Sequence, residues 1–224
     1  RNHWDHFMDA VLRDSHLKER GSGWLQRLWT LHTEPTRHYH TVRHLQEIFE
    51  YFDVIVSTEA ESYNLTPEQQ SSIIFATYFH DAIYNPHSAT NEEDSEILWR
   101  AFAKEMEFPE PMKEEVSQII LATKKHLVSS KNSLPLAIFL DLDLAVLAKD
   151  PHAYMAYAAM IRREYHFVPQ ATYCSKRAEI LKDMANQKSI FGSPAFASND
   201  SWNAKARRNL QLELAMLQQG KIPA

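Results

Sequence analysis

The chain has 224 residues, enough for one large domain with a substantial core or for two small ones. Hydrophobic residues make up 44% and charged residues 24%, an ordinary globular balance, and a net charge of -5 excludes a nucleic-acid scaffold held by bulk charge. A small basic pocket for a nucleotide stays compatible with that balance.

One cysteine, Cys174, rules out an intramolecular disulfide, and a reducing cytoplasm is the expected compartment. Cys174 is expected to be a packed small residue and not a nucleophile. No apolar run has the length of a membrane span, and the first residues carry no signal-peptide pattern. Four glycines, Gly21, Gly23, Gly192 and Gly220, are too few and too scattered for a Rossmann fingerprint or a Walker A loop. Phosphate chemistry in this chain would fall to metal and side chains.

Helix is expected almost throughout. Residues 5–18 carry Phe7, Val11, Leu12 and Leu17 near helical spacing, and Gly21-Ser22-Gly23 reads as a loop before a short helix at 24–31. Residues 33–37 form a second loop, and 41–57 a longer helix with Leu45, Ile48, Phe49 and Phe52 on one face. Thr66-Pro67-Glu68-Gln69 predicts a capped start for a helix apolar on most sides, hence central, that reaches His80. Asn85-Pro86-His87 breaks it. Asn91 is expected to cap a helix over 92–106, with acidic residues in the first turn as the dipole favours.

Further helices are expected at 112–126, 136–147, 150–165 and 168–186, then a loop at 191–198. Leu140, Leu142 and Leu144 alternate as a strand would, but helical neighbours favour helix. The last helix spans about 200–219 and stops at Gly220. There is no internal repeat and no convincing boundary. The expectation is one all-α domain over 1–224.

Chemistry concentrates in a spaced set: Tyr39-His40-Thr41-Val42-Arg43-His44, His80-Asp81 and Asp141-Leu142-Asp143. The set supplies three imidazoles and two or more carboxylates, a mixture suited to a divalent transition metal with open positions. His40 and His44 stack on one face if both are helical; alternatively His40 sits at the helix start facing substrate while His44 ligates. A single histidine in a core is more often structural than a ligand. Acidic residues interrupting two apolar segments shift the balance, because a buried aspartate needs a partner or a metal.

These residues resemble the HD superfamily of metal-dependent phosphohydrolases, and more closely a bacterial group of predicted HD phosphohydrolases of about this length. The resemblance rests on Arg37-His38-Tyr39-His40-Thr41-Val42-Arg43-His44, Phe79-His80-Asp81-Ala82-Ile83-Tyr84, Asn91-Glu92-Glu93-Asp94-Ser95, Ala122-Thr123-Lys124-Lys125-His126, Phe139-Leu140-Asp141-Leu142-Asp143-Leu144-Ala145 and Ile161-Arg162-Arg163-Glu164-Tyr165. It covers roughly residues 25–185, with the helix at 200–219 packing on that core. It implies an all-α, single-domain HD-type helical bundle with a central metal site. The implied ligands are His44, His80, Asp81 and a later aspartate; the resemblance favours Asp143, because Asp143-Leu144-Ala145 matches the family's last element better than Asp141 does, and two aspartates two apart face different sides of a helix, so both are not expected to ligate one ion.

The Tyr39-His40-x-x-x-His44 spacing is also similar to cyclic-nucleotide phosphodiesterases, where the first histidine protonates the leaving oxygen and the second binds metal. His40 and His44 take those roles. The spacer after His80-Asp81, with His87 before Asn91, departs from that pattern, so cyclic-nucleotide specificity does not carry over. By this resemblance, water activated by one or two ions of Mn, Co, Ni, Zn or Fe, or by Mg, is expected to attack a phosphate ester or anhydride of a small molecule such as a nucleotide. Asp143 or Glu92 is expected to orient that water, and Lys124, in the family-like Thr123-Lys124-Lys125-His126, is the first candidate for clamping the phosphate oxygens. Arg37, Arg162, Tyr165 and Arg177 are candidates for holding the phosphate. His87 and His126 are candidates for a second metal or for supporting positions. The resemblance implies no membrane and no stable nucleic-acid complex. Trp99 and Trp202 are candidates for a homodimer contact, or for the core. Competing readings are a di-iron oxygenase, if His87 and His126 both ligate, and a sensor module that binds a nucleotide without turnover.

Overall fold

Apolar side chains at helical spacing need partners on one face, and the α-helices of this chain supply them to each other. The computed structural model describes residues 15–57, 64–126, 132–197 and 200–223, with side chains from residue 19 onward. The elements among them are α1 (Ser15–His32), α2 (Val42–Ser57), α3 (Pro67–Phe79), α4 (Asn91–Glu105), α5 (Glu110–Ala122), α6 (Leu134–Leu144), a 3-10 turn (Ala145–Ala148), α7 (Pro151–Glu164), α8 (Gln170–Asn186), α9 (Pro194–Ala197) and α10 (Ser201–Gln218). No strand occurs among the described residues, so the all-α expectation holds.

Helix α3 is central. Its buried residues run from Ser71 to Phe79 on nearly every side, and it packs against α2, α4, α5 and α6. Thr66 closes the expected capping box with Gln69, which satisfies two orphan donors at the helix start. Around α3, the rings of Trp24, Phe75, Phe79, Trp99, Phe102 and Phe108 form one aromatic cluster. Helix α6 lies between α2, α3, α5 and α9. A second layer of α7, α8 and α10 packs around the 3-10 turn, and buried residues from Trp24 to Leu217 share a single core cluster.

Several boundaries differ from expectation. Gly21-Ser22-Gly23 is not a loop: α1 runs through it, because Gly21, Trp24 and Leu28 form one buried stripe whose packing outweighs two glycine penalties. The expected helix at 5–18 falls on residues that are mostly outside those described. Asn91 does not cap α4. Thr90 occupies that position, and the Asn91 side chain reaches back to the Asn85 backbone, accepting from its N–H and donating to its carbonyl. Helix α5 starts two residues earlier than expected and ends at Ala122. The 191–198 loop contains the single turn α9. Trp99 is wholly buried with its Nε1 donating to the Lys113 carbonyl, and Trp202 packs on Phe191, Phe196 and Tyr51, so both serve packing. Cys174 is buried, as expected. No helix among the described residues is long and apolar enough to cross a membrane.

Candidate metal centre

Three segments distant in sequence deliver the expected donors to one place. His44 comes from the first turn of α2 on its core face. His80 and Asp81 follow the last residue of α3. Asp143 lies in the last turn of α6. His44 Nε2 is 3.3 Å from His80 Nε2 and 3.0 Å from Asp143 Oδ1. His80 Nε2 is 3.0 Å from Asp81 Oδ2 and 3.5 Å from Asp143 Oδ1. Two donors each about 2.1 Å from a shared ion lie about 3.0 Å apart at a right angle and about 3.4 Å apart at the tetrahedral angle. The observed spacings, 3.0 to 3.5 Å, are close to that range, and the group able to hold a cation is His44, His80 and Asp81, with Asp143 beside it.

Hydrogen bonding fixes how His80 faces the group. Its Nδ1 lies 3.1 Å from the Thr77 carbonyl and 3.2 Å from the Ala76 carbonyl, so Nδ1 carries hydrogen and donates. Nε2 is left facing the cluster, the orientation a ligating histidine takes when its other nitrogen donates to backbone. Burial disfavours charge on His80, but the Asp81 and Asp143 carboxylates outweigh it and hold the imidazole well above its ordinary range. Burial likewise works against both aspartates. His80 and His40 still draw Asp81 down, and His80, His126 and His44 draw Asp143 far down. The donor set thus attracts positive charge at a place removed from water, and His44, His80 and Asp81 could hold a metal ion there.

Beside the cluster, His40 is held by a residue that sequence reading did not single out. Glu164 Oε2 lies 2.7 Å from His40 Nδ1 and accepts from the Tyr84 hydroxyl at 2.9 Å. Glu164 Oε1 accepts from the backbone N–H groups of His38, Tyr39 and His40. Burial pushes this carboxyl up, but His40 and those donors bring it down to about 2, so it is ionised at neutral pH. His40 therefore donates from Nδ1 and turns Nε2 toward Asp81, whose Oδ2 is 4.0 Å away. Burial lowers the His40 pKa, and Asp81 and Glu164 overcome it to raise the value. The ring of Tyr84 lies 4.2 Å from that of His40. A signal for Glu164 was present in sequence: it falls on the buried stripe of Tyr154, Ala158 and Ile161 along α7.

The expected phosphate-holding arginines are occupied elsewhere. Arg37 is buried and donates to the carbonyls of Asp81, Ala82 and His40, bracing the turn that carries His80-Asp81. Arg162 donates to the Tyr165 and Val168 carbonyls and lies over the Tyr173 ring. Arg177 is bound bidentately to the fully buried Glu213. All three serve structure, because buried carbonyls and a buried carboxylate need donors. Tyr165 is half-buried next to Tyr84. Lys124 pairs with Glu93, lies 3.8 Å from Glu92, and donates to the Ala89 carbonyl. These contacts place both Lys124 and Glu92 in a network at the start of α4.

Histidines 87 and 126 separate. His87 is exposed and stacks on Phe167 at 3.7 Å, outside the donor group, which removes a ligand that the two-iron reading required. His126 Nε2 reaches Asp143 Oδ2 at 2.7 Å. Asp141 faces the other side of α6, accepting from the N–H groups of Gly192 and Ser193. Asp143 is thus the aspartate of the two that faces the histidines.

Comparison with known proteins yields nothing to set beside this geometry. No family model, no curated protein and no solved structure matches the chain. The residues themselves carry the functional argument.

Proposed function

We propose that this chain is a metal-dependent phosphohydrolase that cleaves a phosphate ester or anhydride of a small molecule, with nucleotides as the substrate class. One observation carries the reading: His44, His80 and Asp81 converge at ligand spacing, with Asp143 3.0 Å from His44 and His40 oriented beside them by Glu164. When bound, a divalent ion such as Mn, Co, Ni, Zn or Fe supplies Lewis acidity to a phosphoryl oxygen and lowers the pKa of water.

The other roles belong to the chain. His44, His80 and Asp81, with Asp143 beside them, would hold the ion. His40 keeps a proton on Nε2 for the leaving oxygen, because Glu164 takes the Nδ1 hydrogen bond and stabilises the charged ring. Tyr84 packs on one face of His40 and restrains its rotation. Arg37 holds the Asp81 and Ala82 carbonyls, so the His80-Asp81 turn keeps its shape.

The test uses purified protein loaded with each of these metals and offered a broad panel of phosphate esters and anhydrides, nucleotides included. Turnover is expected on at least one member. His40→Ala should lower kcat by about 10²–10⁴-fold while keeping the metal, and Asp81→Ala should lose the metal. A folded, metal-loaded protein that cleaves no member of the panel overturns the reading.

A further inference from the structure

Asp143 divides its two oxygens. Oδ1 faces the histidine pair, whereas Oδ2 lies 2.7 Å from His126 Nε2. His126 stands just beyond α5, and its N–H donates to the Ala122 carbonyl. Its φ is 45°, in the left-handed region where a side chain meets its own backbone. The other non-glycine residue with positive φ among those described is Glu107. Glu107 is explained by its backbone: the next N–H, of Phe108, donates to the Ala103 carbonyl and closes α4, while the Glu107 side chain is exposed. At position 126 glycine would make the same turn with less strain. Histidine there accomplishes something glycine does not, which is to place a ring nitrogen on the outer oxygen of Asp143. The group of donors that could share an ion is His44, His80 and Asp81; Asp143 stands beside it, 3.0 Å from His44 Nε2, and His126 stands behind Asp143.

We propose that His126 is a positioning residue for the metal centre. Its Nε2–H donates to Asp143 Oδ2, turns Oδ1 toward the ion, and keeps the carboxylate from swinging away. The left-handed backbone is tolerated because it brings the ring to that oxygen. This rests on the metal-centre reading.

The role separates stability from metal affinity, which tend to move together for an ordinary packing residue. His126→Gly relieves the backbone, so the metal-free variant should melt at the wild-type temperature or a few degrees above it. Its affinity for Co(II), measured by competition with a chromophoric chelator, should be about 10–100-fold weaker. His126→Gln places an amide donor at similar reach. It should regain most of the affinity while melting below His126→Gly. The visible Co(II) spectrum should keep its band positions in all three proteins, since the ligands are unchanged. The role is overturned if His126→Gly binds Co(II) as tightly as wild type, or if His126→Gln is as weak as His126→Gly. A shift of the bands with loss of one ion per chain overturns it too, because His126 would then be a ligand. A wild-type protein that binds no divalent ion sinks the metal centre itself, and this role with it.

Discussion

Two buried histidines show what a neighbourhood does to one side chain. His32 and His80 are both almost inaccessible. His32 has only the Tyr78 carbonyl as a partner for Nε2, and burial drives its pKa down to about 3. His80 moves the other way because two carboxylates face it. Asp141 and Asp143 form a matching pair. Asp143 is held ionised by histidines, whereas burial lifts Asp141 from 3.8 to about 6 against the pull of Ser193 and Gly192. Because the folded value lies above the unfolded one, the Asp141 contribution to stability is greatest below pH 3.8 and disappears as pH rises through 6. Asp141→Asn keeps an oxygen for those N–H groups without the buried charge. Its stability relative to wild type should therefore improve as pH rises from 3.8 to about 6 and level off above that, by on the order of 3 kcal/mol in urea denaturation, with metal binding intact. Asp143→Asn should instead lose the metal while staying folded. Glu164→Gln should fold and bind metal, with kcat down by roughly 10²-fold and KM little changed, because the His40 ring loses its orientation. An unaltered kcat would remove Glu164 from the site's chemistry.

At the scale of elements, local signals were readable wherever the backbone satisfies itself nearby. The Thr66-Pro67-Glu68-Gln69 start and the stop at Gly220 occur as expected, and the helix expected from residue 150 begins with Asp150 as its cap. Failures came where tertiary contacts outvote local preference. Helix α1 persists through Gly21 and Gly23 because its buried stripe continues across them. A Cβ at Gly23 would meet nothing within 4 Å. Gly23→Ala should accordingly stabilise the protein by about 0.5–1 kcal/mol in chemical denaturation, the helical preference of alanine over glycine. Destabilisation would mean that α1 does not run through this point. Helix α6 and the opposite facing of its two aspartates were legible, but the partners were not: Asp141 serves the residues that lead into α9 and Asp143 the histidines, a division fixed by what packs on each side.

For the molecule as a whole, the donor set ties α2, α3 and α6 together, so an ion bound there should stabilise the entire fold. Saturating metal at roughly a hundred times its Kd adds about 2.7 kcal/mol, seen as a higher Tm that Asp81→Ala abolishes. In the metal-free protein the raised pKa of His80 keeps a proton in the cluster. That contribution to stability is full below 6.5 and is lost as pH rises through the folded value. An incoming ion must expel the proton, so affinity should climb with pH. Titration calorimetry in buffers of different ionisation enthalpy should record proton release. Further from the site, the buried Glu213 on α10 joins Arg177 on α8 and the buried Tyr154 hydroxyl on α7 in one network. Glu213→Ala strands the guanidinium in the core and should cost about 3–5 kcal/mol, a large share of the stability of an ordinary domain.

The sequence by itself determined the helical class, the central position of α3, and the residue types and spacings of His44, His80-Asp81 and Asp143. Those follow from periodicity, caps and the rarity of acids in apolar runs, which are short-range properties of the chain. Only the tertiary structure decided which cations stay free and which are consumed. Arg37, Arg162 and Arg177 looked available in one dimension, yet buried carbonyls and Glu213 claim them. It also decided that Glu164 meets His40 from a distant part of the chain and that His126 meets Asp143, because a carboxylate's partner depends on which helices face each other, and no local pattern encodes that.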